Sequence, residues 1–225
     1  MRRLNYMFLI FAFAAFAGAP ARAGAYPQAQ TGSGTDARVV DRIVARIEDD
    51  IILESQVREL GKFQQLVEGR QETDNRLLAE LIEQWVVETE ATTARFTQPA
   101  QSEVDQELAR LAAQFPTPVA YSMKLRELGL TAGEVRQMLA RQLFVERYLD
   151  YKFRPTVQIE AADIQSYYEK EFSPELTGKN QAVPKLEQVE AQIRELLTQR
   201  QISDLAAKWL DETKSHLKIE LALNN

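Results

Sequence analysis

His216 is the only histidine in the chain, so it is the first residue to consider for acid–base chemistry. Nucleophilic catalysis needs a base beside a nucleophile and a third group that orients the base, and no motif around His216 supplies them. A histidine near a helix C-terminus is most often placed there because its charge complements the helix dipole. The sequence contains neither a P-loop nor a dinucleotide fingerprint. We therefore expect no catalytic residue and no cofactor.

Glu48, Asp49, Asp50 and Glu54 form a small acidic cluster whose carboxylates could bind a hard cation. Their spacing does not follow a calcium-binding loop, and a turn between two strands favours such residues in any case. The chain has no cysteine, which excludes disulfides and thiolate metal sites. The sequence therefore predicts a structural turn here and no metal site.

An aromatic stripe of Phe144, Tyr148 and Tyr151 follows helical spacing. At such spacing, aromatic side chains are more often part of a core than of a binding face. The predicted helix over 134–153 nevertheless carries apolar residues on more than one face. The second face must be covered by the C-terminal helix, by a second subunit or by a bound polypeptide.

Short strands are predicted near both ends of the folded domain. Residues 43–47 and the β-branched run 51–53, with the acidic turn between them, predict a β-hairpin. The alternation of Ile219, Leu221 and Leu223 with charged residues predicts another strand. Because two strands alone are only marginally stable in water, we expect the three to form one small sheet.

Helical periodicity accounts for most of the remaining sequence, so the predicted fold is mostly α with a small sheet. Helices are predicted over 54–67 (ended by Gly69), from a Thr73 N-cap, from a capping box of Ser102 and Asp105, over 119–128, from a capping box of Thr131 and Glu134 to 153, over 163–172, and from 186 onward. Two prolines, a glycine and an asparagine within 173–184 predict an interior loop there.

The N-terminus has the features of a cleavable signal peptide. Arg2 and Arg3 precede an apolar run over 7–18, and Ala21-Arg22-Ala23 places small residues where signal peptidase reads them. The run is about twelve residues, whereas a membrane span needs roughly twenty. We predict a signal peptide over 1–23 cleaved after Ala23, a flexible tether over 24–38, a periplasmic location and no stable membrane insertion.

The charge balance bears on the class of partner. The chain has 27 Lys and Arg against 33 Asp and Glu, and loss of the three signal-peptide arginines leaves 24 against 33, a net charge of −9. Nucleic-acid binding requires a basic face, so we expect no nucleic-acid partner. The mature length of about 200 residues is enough for one large domain or two small ones.

The order of these elements resembles that of the SurA-type periplasmic chaperones. Residues 40–57, in which a hairpin leads into a helix through Leu53-Glu54-Ser55, are similar to the opening of that family. Residues 77–88 and 102–105 resemble the next two family helices. Residues 159–169 resemble the helix that leads out of the chaperone module, and 189–221 resemble its closing helix and strand. The resemblance covers nearly all of the predicted mature chain and rests on the order of the elements.

The chain departs from the family where parvulin prolyl-isomerase domains are expected. Each such domain needs about a hundred residues, but only 173–184 separates the N-terminal part (39–172) from the closing helix and strand (185–225). That interval contains none of the histidines on which parvulin active sites rely. The resemblance therefore implies the chaperone module alone, without isomerase activity.

The resemblance implies an ATP-independent holdase, a helical cradle that binds unfolded envelope and outer-membrane polypeptides. Methionine and aromatic side chains adapt to varied polypeptides. The candidate lining residues are Met123, Met138, Phe144, Tyr148 and Tyr151. The alternatives are a prolyl isomerase of unusual form, a scaffold dedicated to one partner, and a homodimer that exchanges its long helices.

Overall fold

Strands β1 (Ile43–Ile47) and β2 (Asp50–Leu53) form the predicted antiparallel hairpin in a computed structural model that describes residues 41–222. Glu48, in the turn, has a positive φ of 51°, a left-handed conformation that tight hairpin turns use to match the twist of the strands. The predicted signal peptide over 1–23 and the tether over 24–38 lie outside the described residues.

Strand β3 (Ile219–Leu221) lies antiparallel to β1 on the side opposite β2, which gives the sheet order β2-β1-β3. The register places Ile219 opposite Ile47 and Leu221 opposite Ala45. Ala45 and Ile47 are buried, so this face of the sheet packs on the helices. The prediction that a C-terminal strand completes the N-terminal hairpin is confirmed.

Most of the remaining described chain is helical, which confirms the predicted fold class. The helices are α1 (Glu54–Glu68), α2 (Asp74–Thr93), α3 (Gln101–Ala113), α4 (Pro118–Leu128), α5 (Ala132–Phe153), α6 (Ala161–Tyr167), α7 (Ser173–Gly178) and α8 (Leu186–Ser215). A 3-10 turn (Arg154–Thr156) follows α5, and a π-helical turn (Tyr168–Phe172) joins α6 to α7. Between residues 41 and 222, no helix is both long and apolar enough to cross a membrane.

Local interactions explain several helix ends. The Thr131 hydroxyl accepts a hydrogen bond from the Glu134 N–H (3.2 Å), and the Glu134 carboxylate accepts one from the Thr131 N–H (2.6 Å). This capping box opens α5 as predicted. α1 and α4 end at Gly69 and Gly129, whose φ values of 71° and 61° are left-handed and carry no steric penalty for glycine.

The predicted capping box of Ser102 and Asp105 is wrong. The carboxylate of Glu103 accepts a hydrogen bond from the Ala100 N–H (2.7 Å), so Ala100 is the N-cap and α3 begins at the next residue. Asp105 instead forms an ion pair with Arg136 of α5. Alanine is a poor N-cap residue, and for that reason the sequence pattern pointed to the serine two positions later.

The predicted loop over 173–184 is wrong in its first half. Ser173–Gly178 is helical and continues directly from the π-helical turn, so the irregular segment begins only at Lys179. Pro174 does not end this helical run, because it directly follows the π-helical turn, where the regular i→i−4 hydrogen-bond pattern is already interrupted.

Helix α5 is covered on more than one face by other helices of the chain. Its N-terminal half shares a core cluster with α1, α3 and α4, and its C-terminal half shares another with α2 and α8. A third cluster joins the sheet to α1 and α2. The prediction that the C-terminal helix packs on the second face of α5 is therefore confirmed, and α2 and α3 also pack on α5.

A fourth, separate cluster, here called the satellite core, joins α6 to the first half of α8. Its buried members are Ile164, Tyr167, Val189 and Ile193. Arg154, in the 3-10 turn after α5, links this region to the rest of the fold. Its guanidinium donates to both carboxylate oxygens of Asp150 (2.9 Å each) and to both of Glu195 (2.7 and 3.0 Å).

Candidate polypeptide-binding surface

Phe96 is held against α5 by the way in which α2 ends. Arg95 has a left-handed φ of 54°, so the chain turns back directly after the helix. The Phe96 N–H donates to the Ala91 carbonyl (2.9 Å) and the Arg95 N–H donates to the Thr92 carbonyl (3.0 Å), which is the Schellman pattern. The residue after the left-handed position often makes an apolar contact in this motif, and here the Phe96 ring packs on α5.

Phe96 is the centre of an aromatic cluster that also contains Phe144, Tyr148 and Tyr151 of α5. Its ring centroid lies 5.9, 5.5 and 5.3 Å from those three rings, in that order. Its interplanar angle of 72° with Tyr148 is close to an edge-to-face arrangement. Centroid distances in this range are typical of favourable aromatic pairs, so the four rings support one another.

The aromatic cluster extends from the core to the surface. Phe144 and Tyr148 are buried, Phe96 is half-buried, and Tyr151 is 65% exposed. The two buried rings hold Phe96 in place, and Phe96 in turn contacts Tyr151. An exposed ring that is already positioned loses less conformational freedom on binding than a mobile side chain does. Tyr151 and the accessible part of Phe96 therefore form a preorganised aromatic surface.

A basic group lies beside this cluster. The Lys152 ammonium is 4.6 Å from the Trp209 ring centroid and 5.8 Å from that of Tyr148, within the range of cation–π contacts. The Glu90 carboxylate lies 3.8 Å from the same ammonium. Burial raises the pKa of Tyr148, and the charge of Glu90 raises it further. The phenol is consequently neutral at physiological pH, and the cluster presents neutral rings beside one ion pair.

A second exposed apolar surface lies on α4. Val119 and Met123 are 66% and 63% exposed, and residues four positions apart lie on the same side of a helix. We call this pair the α4 ridge. The opposite side of α4 buries Leu125 and Leu128, so the helix has an apolar face against the core and a second one towards solvent.

The structure divides the five candidate lining residues into three groups. Met123 and Tyr151 are exposed, whereas Met138 is half-buried against the cluster formed by α1, α3, α4 and α5. Phe144 and Tyr148 are core residues that support the surface and do not line it. Helical spacing identified the stripe correctly, but α2 and α8 pack on that side of α5.

Phe96 and Val119 belong to these surfaces and were missing from the predicted set. No prediction was made for Phe96, and its signal is an apolar residue just after a helix end, the position that the Schellman motif uses for packing. Val119 precedes Met123 by one helical turn, so the spacing within 119–128 contained the information needed to find it.

Two clefts near the satellite core have a different chemical character. One of about 410 Å³ beside Arg154 is lined mainly by charged residues of α8, including Glu190 and Arg194. The other, of about 240 Å³ between α6 and α8, combines charged residues with a few apolar ones. Extended apolar segments fit the aromatic cluster and the α4 ridge better than these clefts, because covering even paired charges with apolar groups carries a desolvation cost.

The acidic turn makes structural contacts. The Asp50 carboxylate accepts a hydrogen bond from the Trp85 indole N–H (2.9 Å), and the Glu48 carboxylate accepts one from the Lys218 N–H (2.7 Å). In the part of the chain that the structure describes, no group of three or more acidic or histidine side chains is placed to hold a metal ion. His216 is exposed and directly follows α8.

Comparisons with known proteins add no relative to this description. A scan against protein-family models finds no match to the chain, and a search of curated proteins finds none either. The resemblance to SurA-type chaperones therefore stays a prediction that rests on the order of the elements.

Proposed function

We propose that the protein is an ATP-independent periplasmic holdase that binds unfolded envelope polypeptides, outer-membrane proteins among them, without catalysing a reaction on them. The observation that carries this proposal is the exposed Tyr151 ring, positioned by Phe96 on a buried aromatic base. The order of strands and helices, which resembles that of the SurA-type chaperone module, supports the proposal from the sequence.

The side chains of the two surfaces suit binding to many different sequences. Tyrosine offers a large contact area at a low cost in conformational entropy. Methionine is flexible and polarisable, so Met123 adapts to partners of different shape. These properties favour apolar and aromatic segments of an extended polypeptide, which a folded protein would bury and an unfolded outer-membrane protein exposes.

The small size of the surfaces predicts weak and reversible binding. Neither the aromatic cluster nor the α4 ridge approaches the area of a stable protein interface. Weak binding suits a holdase that releases its substrate without nucleotide, because it lowers the free concentration of aggregation-prone chain by mass action alone. A long polypeptide that contacts both surfaces at once gains affinity through effective concentration.

The test is suppression of aggregation by residues 24–225, the predicted mature chain, with a chemically unfolded outer-membrane β-barrel protein and no ATP. We expect dose-dependent suppression that Tyr151→Ser weakens several-fold and that the double variant Tyr151→Ser/Met123→Ser nearly abolishes. Val183→Ser is the matched control, since it removes an exposed apolar side chain from the segment after α7. Circular dichroism checks that every variant remains folded.

Two results would oppose the proposal. If the chain leaves aggregation unchanged at several-fold excess, it is not a holdase, and a search for one dedicated partner should follow. If it accelerates a proline-limited refolding reaction, the isomerase alternative is correct.

A further inference from the structure

The outer edge of β3 is the open edge of the sheet. The Lys218 carbonyl accepts a hydrogen bond from the Glu48 N–H, directly after β1, and the Ala222 N–H donates to the Val44 carbonyl in β1. Because backbone groups alternate in direction along an antiparallel strand, those of Ile219 and Leu221 point away from β1. Among residues 41–222 no strand pairs with them on that side. An unpaired edge of this kind is a template for another strand.

The other edge of the sheet is less accessible to a partner strand. β2 runs directly into α1, and the N–H of its last residue, Leu53, already donates to the Gln56 side chain (2.8 Å). The Trp85 indole of α2 donates a hydrogen bond to the Asp50 carboxylate at the start of the same strand. Pairing with another chain is therefore favoured at β3.

The segment 217–221, Leu-Lys-Ile-Glu-Leu, is complementary to itself when two copies run antiparallel. With Ile219 of one copy opposite Ile219 of the other, each Lys218 lies opposite a Glu220, and each Leu217 lies opposite a Leu221. A shift of the register that puts Glu220 opposite itself would oppose like charges, which destabilises a strand pair. Only the register centred on Ile219 pairs charge with opposite charge and apolar with apolar.

The same register pairs most of the outward-pointing backbone groups; the Leu217 N–H already donates to the Lys214 carbonyl (3.2 Å), so Leu217 contributes only its carbonyl. The outward-pointing groups of Ile219 and Leu221 fall at hydrogen-bonded positions, while Lys218 and Glu220 fall at the non-hydrogen-bonded positions, where facing side chains are closest. Both charged side chains are exposed, and within one copy the Lys218 ammonium lies 3.1 Å from the Glu220 carboxylate, so dimerisation would exchange this contact for two between the copies. Leu221, which is 55% exposed, would lie opposite Leu217 of the second copy, whose side chain also packs partly on its own core.

We propose that two copies of this chain pair through β3 around a two-fold axis and form one continuous sheet. Such an interface is isologous, since each copy contributes the same strand. The contact is short, so the dimer is expected to be weak and to depend on protein concentration. The proposal does not depend on the holdase function.

Sedimentation equilibrium of residues 24–225 over a hundredfold range of concentration tests the pairing. We expect the average mass to rise towards twice that of the monomer. Leu221→Pro should abolish this rise, because proline removes an N–H that points outward and leaves the bonds to β1 intact. Leu221→Val keeps the N–H and should still dimerise, and circular dichroism checks that both variants fold.

Charge reversal tests the register. Lys218→Glu and Glu220→Lys should each weaken the dimer about tenfold, since both symmetry-related pairs then oppose like charges. The double reversal should restore it.

Cysteine cross-linking is a second test, made simple by the absence of native cysteine. A mixture of Lys218→Cys and Glu220→Cys proteins should form a disulfide between them faster than either protein forms one with itself, since their Cα atoms would be about 4.5 Å apart.

Each other outcome overturns the proposal. A monomer at every concentration excludes the dimer. A dimer that persists in Leu221→Pro forms elsewhere on the chain, and faster self-linking by either cysteine variant shows a different register. A monomer in which Leu221→Pro weakens binding of the unfolded β-barrel protein would show that the edge accepts a strand of the bound polypeptide instead.

Discussion

The indole N–H of Trp85 on α2 donates to the Asp50 carboxylate, 2.9 Å away at the hairpin turn. Trp85 also packs against two core clusters, the one beneath the sheet and the one shared by α2, α5 and α8. A single side chain thus connects the sheet to the helical part of the fold through both a hydrogen bond and apolar contact.

This connection predicts the effect of replacing either partner. Trp85→Phe should lower the free energy of unfolding by about 1–2 kcal/mol, since it removes the hydrogen bond and part of the packing. Asp50→Asn should cost less than about 1 kcal/mol, because the carboxylate is exposed. Urea unfolding measures both. Asp49→Asn, at the neighbouring turn position, is the control, and an effect as large as that of Trp85→Phe would show that the turn charge dominates.

Leu210 is fully buried where α8 meets α2 and α5. Leu210→Ala should therefore lower the free energy of unfolding by about 2–5 kcal/mol through lost burial and a residual cavity. Val183→Ala, at an exposed position, should change it by less than about 0.5 kcal/mol. Equal effects in urea unfolding would contradict the packing of α8 on α5.

Arg95 occupies the left-handed position of the Schellman motif that positions Phe96. Arg95→Gly should raise the free energy of unfolding by about 0.5 kcal/mol. Relief of the left-handed strain stabilises the folded state by more than the extra conformational entropy of glycine stabilises the unfolded chain. Ala94→Gly should lower it by a similar amount, since Ala94 has helical geometry and gains nothing from glycine. The reverse order in thermal unfolding would argue against this turn.

The pair of Arg154 and Glu195 predicts a pH-dependent change near the satellite core. Hydrogen bonds from Arg154 and then from Gln199 lower the pKa of Glu195 to about 2 from its usual 4.5. A lowered carboxylate pKa stabilises the fold above the usual value, and this contribution is lost as the pH falls from 4.5 towards 2.

Hydrogen exchange should therefore show faster exchange of α6 and the first half of α8 in that pH range. In Glu195→Gln the contribution is absent at every pH, so exchange there should already be faster at neutral pH and should change less on acidification. An unchanged acid response in this variant would assign the effect to other carboxylates.

Much of the fold could be predicted from local patterns. The alternation around Ile43 and Ile219 and the Thr131–Glu134 capping box carry their structural meaning in short segments, so the sheet and the start of α5 were correct. The start of α3 was not, because it depends on the contact of Glu103 with Ala100 in place of a good N-cap residue.

The candidate surface was only partly predictable. Periodicity shows which residues share a side of α5, but only the packed structure shows that α2 and α8 cover Phe144 and Tyr148 while Tyr151 stays exposed. Phe96 reaches the same cluster through a turn outside any periodic segment. The path of that turn depends on the left-handed geometry of Arg95, a conformation that arginine seldom adopts and that the sequence therefore does not indicate.

The central position of β1 in the sheet affects folding if the chain becomes available from its N-terminus onwards. β1 and β2 can pair as soon as the hairpin has emerged, but the contact between Glu48 and Lys218 closes a span of 170 residues. Until β3 arrives, the second side of β1 remains an unpaired edge, open to capture by other chains. The chain is therefore most prone to misassembly in the interval between formation of the hairpin and pairing of β3 with β1.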